Sequence, residues 1–266
     1  MTNMPGEWIW FELLTSDADA AQAFYTRVVG WSVAPFAIEG GDYRIVSAPD
    51  GVGVGGVMTK PQDMAGGARW LGYIGVDDVD ASIAAIERLG GAVHLPATDV
   101  PDVGRMALLA DPQGCAFHVM RGASDQPSRA FAQGQDTIGH VVWCELSSPD
   151  PDAAIAFYSV AFGWGQDGAM PMGDLGDYRF LQAGATGFGA VMKVMAEGSE
   201  GWLFYFHVPD IDAAADRLRG AGGRIVQEPV EIPGGGHSLV AIDPQGAAFG
   251  LVGQRAGDAA TGRTDR

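Results

Sequence analysis

The sequence predicts an α+β protein assembled from four related βαβββ modules, and three recurrences predict it. The stretch Trp10-Phe-Glu-Leu-Leu-Thr-Ser-Asp-Ala-Asp-Ala-Ala-Gln-Ala-Phe-Tyr25 returns as Trp143-Cys-Glu-Leu-Ser-Ser-Pro-Asp-Pro-Asp-Ala-Ala-Ile-Ala-Phe-Tyr158, with ten of sixteen positions identical. Trp70-Leu-x-Tyr73 recurs as Trp202-Leu-x-Tyr205, and Asp111-Pro-Gln-Gly114 as Asp243-Pro-Gln-Gly246, each 132 residues on. Each half divides again: Asp17-Ala-Asp-Ala-Ala21 has a cousin 61 residues later at Asp78-Val-Asp-Ala-Ser82, and Asp150-Pro-Asp-Ala-Ala154 has one at Asp210-Ile-Asp-Ala-Ala214. Self-similarity at a fixed period marks duplicated supersecondary units.

Every module opens with an alternating apolar strand, Ile9, Phe11 and Leu13 in the first. The strand runs into an Asp able to cap a helix, with a second Asp in the first turn, where the helix dipole favours it. The helices should end at Gly30, Gly90-Gly91, Gly163 and Gly222-Gly223, because a left-handed C-cap costs glycine nothing. Short β-rich runs follow, such as 42–47, 104–109 and 116–120, separated by Gly, Pro and Asp. Gly51-Val-Gly-Val-Gly-Gly56 leads into Val57 and Met58 with no helix behind it. It therefore reads as a strand under close backbone approach, not a nucleotide loop. The Asp-Pro-Gln-Gly segments read as tight turns. The expected domains are 1–122 and 139–255, joined by a linker at 123–138 and followed by a frayed tail at 256–266.

A chain of 266 residues with 47% hydrophobic content can fill two cores. The formal charge of −17 is spread without long acidic runs and repels nucleic-acid phosphates and anionic lipid, so neither nucleic acid nor membrane is expected as a partner. No apolar run approaches the roughly 18 residues of a membrane span, and no leader pattern precedes Trp8. A cytoplasmic protein is the expectation. Cys115 and Cys144, one in each half and outside any Cys-x-x-Cys pair, are expected to be reduced and buried.

Strand-one motifs ending in Asp-x-Asp-Ala-Ala-x-x-Phe-Tyr, Gly-Trp after the helix, and Asp-Pro-Gln-Gly-x-x-Phe closing each half resemble the vicinal-oxygen-chelate superfamily. That group holds glyoxalase I, bleomycin-resistance proteins and extradiol dioxygenases. The pattern Trp-x-Glu-Leu-x-(Thr/Ser)-x-Asp in a duplicated unit is similar to the two-domain glyoxalase-like proteins. The resemblance implies modules paired into two domains, each a curled mixed sheet around a cleft with helices outside. It does not fix the reaction, because one scaffold carries unrelated chemistries.

Alternation along each strand then assigns the faces. Ile9, Phe11 and Leu13 meet the helix, which turns Trp10 and Glu12 to the cleft; Trp143 and Glu145 follow, while Cys144 faces the helix layer. Tyr73, Tyr205, His207, His118 and Met120 fall on the cleft side, and Met58 and Met192 are further cleft candidates. A carboxylate beside a Trp wall in a partly dry cleft gains a raised pKa, suited to proton abstraction or to holding a polar ligand group. Glu12 and Glu145 are accordingly the candidate bases, with His118 or a tyrosine as partner. The alternative is that each glutamate merely satisfies backbone donors or an Arg. Trp10, Trp143, Tyr73 and Tyr205 offer flat surfaces for a planar ligand, or simply pack the core. His94, His140 and His237 carry no strong signal.

Metal-dependent members of the superfamily draw His, Gln or Glu from strand one and from the last strand of the modules. The corresponding strand-one positions here are Trp10, Leu71, Trp143 and Leu203, and the last-strand positions are His118 and Gly250. A catalytic metal needs about three protein ligands, so neither metal nor cofactor is expected. The leading expectation is a metal-independent glyoxalase-like protein for a small organic molecule, with a lyase or isomerase step if it turns its ligand over. A drug-sequestering protein and a metal-dependent glyoxalase or dioxygenase are the rivals, and a homodimer is open.

Overall fold

A computed structural model describes residues 3–38, 41–61, 64, 66–134, 136–195 and 200–256. Module one comprises β1 (Trp8–Thr15), α1 (Ala18–Val28), β2 (Ser32–Ile38), β3 (Gly41–Ser47) and β4 (Gly53–Thr59). Module two comprises β5 (Arg69–Gly75), α2 (Val79–Arg88), β6 (Ala92–Val100), β7 (Gly104–Ala110) and β8 (Ala116–Gly122). Module three comprises β9 (Val141–Ser148), α3 (Pro151–Phe162), β10 (Gly165–Pro171), β11 (Asp177–Ala183) and β12 (Thr186–Lys193). Module four comprises β13 (Gly201–His207), α4 (Ile211–Gly220), β14 (Arg224–Glu231), β15 (His237–Ile242) and β16 (Ala248–Gly253). Of the tail expected to fray, residues 257–266 lie outside the described residues.

The helix boundaries follow from the caps. Asp17, Asp78, Asp150 and Asp210 each accept the backbone N–H three residues on, at 2.9, 2.9, 3.0 and 3.0 Å, an interaction of about 1 kcal/mol apiece. At the other ends Gly30, Gly90, Gly163 and Gly222 take φ of 91°, 87°, 70° and 86°, where a side chain would be strained.

Modules one and two share an eight-stranded mixed sheet ordered β2-β3-β4-β1-β5-β8-β7-β6, and modules three and four a second ordered β10-β11-β12-β9-β13-β16-β15-β14. Within each module the first strand runs parallel to the last, and the remaining neighbours are antiparallel hairpins. The parallel pairing explains the glycines in β4 and β12. A Cβ on Gly55 would stand 2.2 Å from the Phe11 carbonyl oxygen, and one on Gly189 would stand 1.9 Å from that of Cys144. The glycine-rich run is a strand pressed against its neighbour.

Two compact units cut across the sheets. One comprises Phe11–Trp70, Arg129–Val142 and Phe204–Arg266, most of modules one and four with the first residues of β5; the other comprises Met1–Trp10, Leu71–Ser128 and Trp143–Leu203, most of modules two and three with the first residues of β1 and β13. Each unit is centred on the same buried device. In the first, the Trp70 indole donates to the Tyr25 hydroxyl at 2.9 Å, and that hydroxyl donates to Asp243 Oδ2 at 3.1 Å. In the second, Trp202 donates to Tyr158 at 3.0 Å and Tyr158 to Asp111 at 3.2 Å. Tyr25 stacks on Trp31, and Tyr158 stacks on Trp164.

Asp111 and Asp243 spend their other oxygen on the turn itself, accepting from Gln113 and Cys115 and from Gln245 and Ala247. The Asp-Pro-Gln-Gly segments are therefore turns, as expected, that also anchor each core. Burial raises both carboxyl pKa values and pushes both phenols well up. Cys115 and Cys144 are free and buried, and burial pushes the Cys115 thiol up to about 12. Among the described residues no helix is long and apolar enough to cross a membrane.

Candidate functional site

On β9, Cys144 and Leu146 are buried while Trp143 and Glu145, which alternate with them, remain half-buried. A row of residues crosses three strands at Glu145. Phe180 on β11 pairs with Ala190 on β12, and Ala190 pairs with Glu145 on β9. Because Ala190 is small, a side chain two residues along β11 can lean across it. Tyr178 does so: its hydroxyl donates to Glu145 Oε2 at 2.9 Å and accepts from the Trp143 indole at 2.7 Å. Burial, with the nearby Glu145 charge, holds the phenol pKa far above its usual value, so Tyr178 keeps its proton and remains a donor. Phe180 completes the wall, edge-on to Trp143 at 6.3 Å and to Tyr178 at 6.0 Å between ring centroids. Met192, expected near this site, is buried in register with Ser147.

The same row in module one runs Ile45, Gly56, Glu12. Gly56 leaves a hole there and Tyr43 fills it: a Cβ at Gly56 would lie 2.1 Å from the Tyr43 hydroxyl. Glu12 is only 5% exposed, whereas Trp10 and Met58 are half-buried, Met58 in register with Tyr43.

In module two Tyr73 pairs in register with His118, and their rings stack at 4.1 Å with an 8° interplanar angle, both buried. In module four Tyr205 pairs with Gly250 and lies over it, so that a Cβ there would meet the ring at 2.2 Å. His207 bonds through Nδ1 to the Thr137 hydroxyl at 2.9 Å, and burial lowers its pKa.

The structure thus joins Trp143 to Glu145 through Tyr178, stacks Tyr73 on His118, and ties His207 to Thr137. Sequence reasoning missed Tyr43 and Tyr178, although Asp42-Tyr-Arg44 returns as Asp177-Tyr-Arg179, a repeat that pointed to them. It also gave His140 no weight, yet that side chain is fully buried, with Nδ1 2.6 Å from the Arg129 carbonyl and Nε2 3.3 Å from Asp50. There it ties the 129–142 segment to the β3–β4 turn.

The described residues offer no set of side chains that fits a divalent ion. Among the described residues no three His, Cys, Asp or Glu side chains gather in a group that could hold one. At the last-strand position of module four a tyrosine ring covers a glycine where a ligand would be needed.

Family models match both halves: that of the Glyoxalase/Bleomycin resistance protein/Dioxygenase superfamily over residues 137–251 and that of the glyoxalase-like domain over residues 8–120. The chain belongs to this superfamily. It is 35% identical to "Putative glyoxylase CFP32" of Mycobacterium tuberculosis (strain CDC 1551 / Oshkosh) across 91% of this chain and 93% of that one. It is 31% identical to "Anthracycline biosynthesis protein DnrV" of Streptomyces peucetius across 95% of each. Among solved structures it is similar to the Mn(II)-bound glyoxalase from Novosphingobium aromaticivorans, with a TM-score of 0.65 and 19% identity over 94% of this chain and 83% of that one. A variant of homoprotocatechuate 2,3-dioxygenase from B. fuscum gives a TM-score of 0.68 at 15% identity, over 95% and 73%. These two likenesses concern the fold.

Proposed function

We propose that the chain binds a small, planar organic molecule on the sheet face carrying Trp143 and Glu145, without a metal, and that Glu145 is the proton acceptor in a lyase- or isomerase-type step. The observation that carries this reading is the chain of hydrogen bonds from Trp143 through Tyr178 to Glu145. A phenol that keeps its proton donates it to one carboxylate oxygen and so holds that carboxylate in place. Trp143 fixes the phenol in turn, so the carboxylate is oriented before any ligand arrives, and preorganisation of this kind is what proton transfer requires. In an isomerisation Glu145 takes a proton from a carbon beside a carbonyl and returns it to a neighbouring carbon.

The relatives named for anthracycline biosynthesis make an anthracycline the first compound to try, since a fused aromatic ring system suits a Trp and Tyr wall. Calorimetric titration should show binding weakened about tenfold in E145Q, the loss of one charge-assisted hydrogen bond. Product analysis of the same mixtures should show turnover by the wild type and none by E145Q. Binding and turnover unchanged in E145Q would overturn the proposal. Binding without turnover in the wild type would select sequestration instead, a reading favoured by the aromatic rings that crowd this carboxylate. Metal analysis of the purified protein should find no stoichiometric divalent ion.

A further inference from the structure

Module four carries a polar group that the site around Glu145 does not use. Three residues before the capping aspartates the four modules place Leu14, Gly75, Ser147 and His207, so only β13 brings a titratable side chain to that position. His207 is half-buried. It lies in register with Val252 on β16, which pairs with Ser238 on β15, and in the next row Gly250 pairs with Val240. Residues paired across strands share a face. Val240 and Val252 are half-buried while their chain neighbours Leu239, Ala241 and Leu251 are sealed, which puts His207 and the two valines on the more open side of the sheet.

The hydrogen bonds fix which nitrogen of that ring holds the proton. The Thr137 hydroxyl donates its one proton to the Gly134 carbonyl at 3.1 Å, so what it offers His207 Nδ1 at 2.9 Å is a lone pair. Nδ1 therefore carries the ring hydrogen and donates. Burial holds the pKa of His207 below its ordinary value, with the nearby His140 acting in the same sense and the Thr137 backbone against it. A neutral imidazole protonated on Nδ1 has its lone pair on Nε2. Such a lone pair accepts a hydrogen bond and repels an anion, and taking a charged group out of water against two valines is costly. We infer that the open face of β13, β15 and β16 binds a neutral hydroxylated ring, a phenol in its simplest form, with the hydroxyl donating to His207 Nε2 and the ring lying against Val252 and Val240. The site is built from module four and the 129–142 segment and does not depend on the reading of Glu145.

Phenol and anisole differ in the one proton that this contact needs. In the full chain with isotope-labelled histidine at neutral pH, nitrogen–proton correlation spectra should show His207 protonated on Nδ1 and bare on Nε2. Phenol should move the Nε2 resonance in a saturable titration, and anisole should leave it in place. Followed through the Val252 methyl signals, phenol should bind about fivefold tighter than anisole. H207F should bring phenol down to the affinity of anisole. T137V, which releases the ring to exchange tautomers, should weaken phenol about twofold, because half the rings then carry the proton on the wrong nitrogen. Melting curves confirm that each variant folds, and the wild-type spectra decide the matter if one does not. A protonated Nε2 in the wild type, equal affinity for the two compounds, or phenol affinity unchanged in H207F would each overturn the inference. So would phenol that leaves the His207 and Val252 signals unmoved.

Discussion

Glu12 and Glu145 occupy equivalent positions in two rows that differ at both remaining residues, and the difference shows how duplication diverges at a site. In module one the middle residue is Gly56, and Tyr43 settles onto it beside a glutamate that is nearly sealed. In module three the middle residue is Ala190, whose methyl denies Tyr178 that seat; the phenol instead bridges Trp143 and Glu145, and Phe180 replaces Ile45 beside it. One methyl group at the middle position therefore goes with the different seats of the two tyrosines, Tyr43 over Gly56 and Tyr178 between Trp143 and Glu145.

Four perturbations break or sharpen this contrast, in falling order of effect. Gly189→Ala and Gly55→Ala put a Cβ about 2 Å from a backbone carbonyl in each half, which cannot be relieved by a rotamer. Each should cost about 3 kcal/mol, read from denaturant midpoints. Gly56→Ala, whose clash is with a side chain, should cost clearly less and lift Tyr43 toward the arrangement of Tyr178. An equal cost for all three would mean that Tyr43 is as fixed as backbone. Tyr25→Phe and Tyr158→Phe each strip a buried carboxyl of its phenol and an indole of its acceptor. Both should lose about 2 kcal/mol, and by similar amounts, if the two cores are energetically equivalent.

Tyr178→Phe should lose about 1 kcal/mol, because water can reach the half-buried partners it leaves, and it should shift the Trp143 indole proton in the nuclear magnetic resonance spectrum. An unmoved indole resonance would contradict the chain of hydrogen bonds. The smallest effect concerns His207, whose module-two counterpart is Gly75. Burial lowers the folded pKa below the ordinary 6.5, so the unfolded chain binds the extra proton first. The stability tied to neutral His207 is present above pH 6.5 and is lost as pH falls from there toward the lowered folded value. Melting temperature should decline across that window in the wild type and less so in His207→Gln.

Most of the fold was legible because it is written in short-range chemistry. The capping aspartates, the stopping glycines and the strand alternation are local signals, and duplication printed each of them two or four times. The pairing of modules one with four and two with three into compact units was not legible. It depends on Tyr25 reaching Asp243 and Tyr158 reaching Asp111, and no local pattern encodes a partner 218 residues away. At the site, period-two alternation picked out Trp143 and Glu145 but not Tyr178, which acts from two strands over by leaning across Ala190. His140 escaped notice for a similar reason, since its partners Asp50 and Arg129 come from distant turns.

Comparing E12Q and E145Q side by side tests the central claim most directly, with calorimetric titration of an anthracycline into each variant and into the wild type. E145Q should bind about tenfold more weakly while E12Q matches the wild type, because Glu145 is half-buried and open to a ligand whereas Glu12 is only 5% exposed. Equal losses in both variants, or a loss confined to E12Q, would contradict the account.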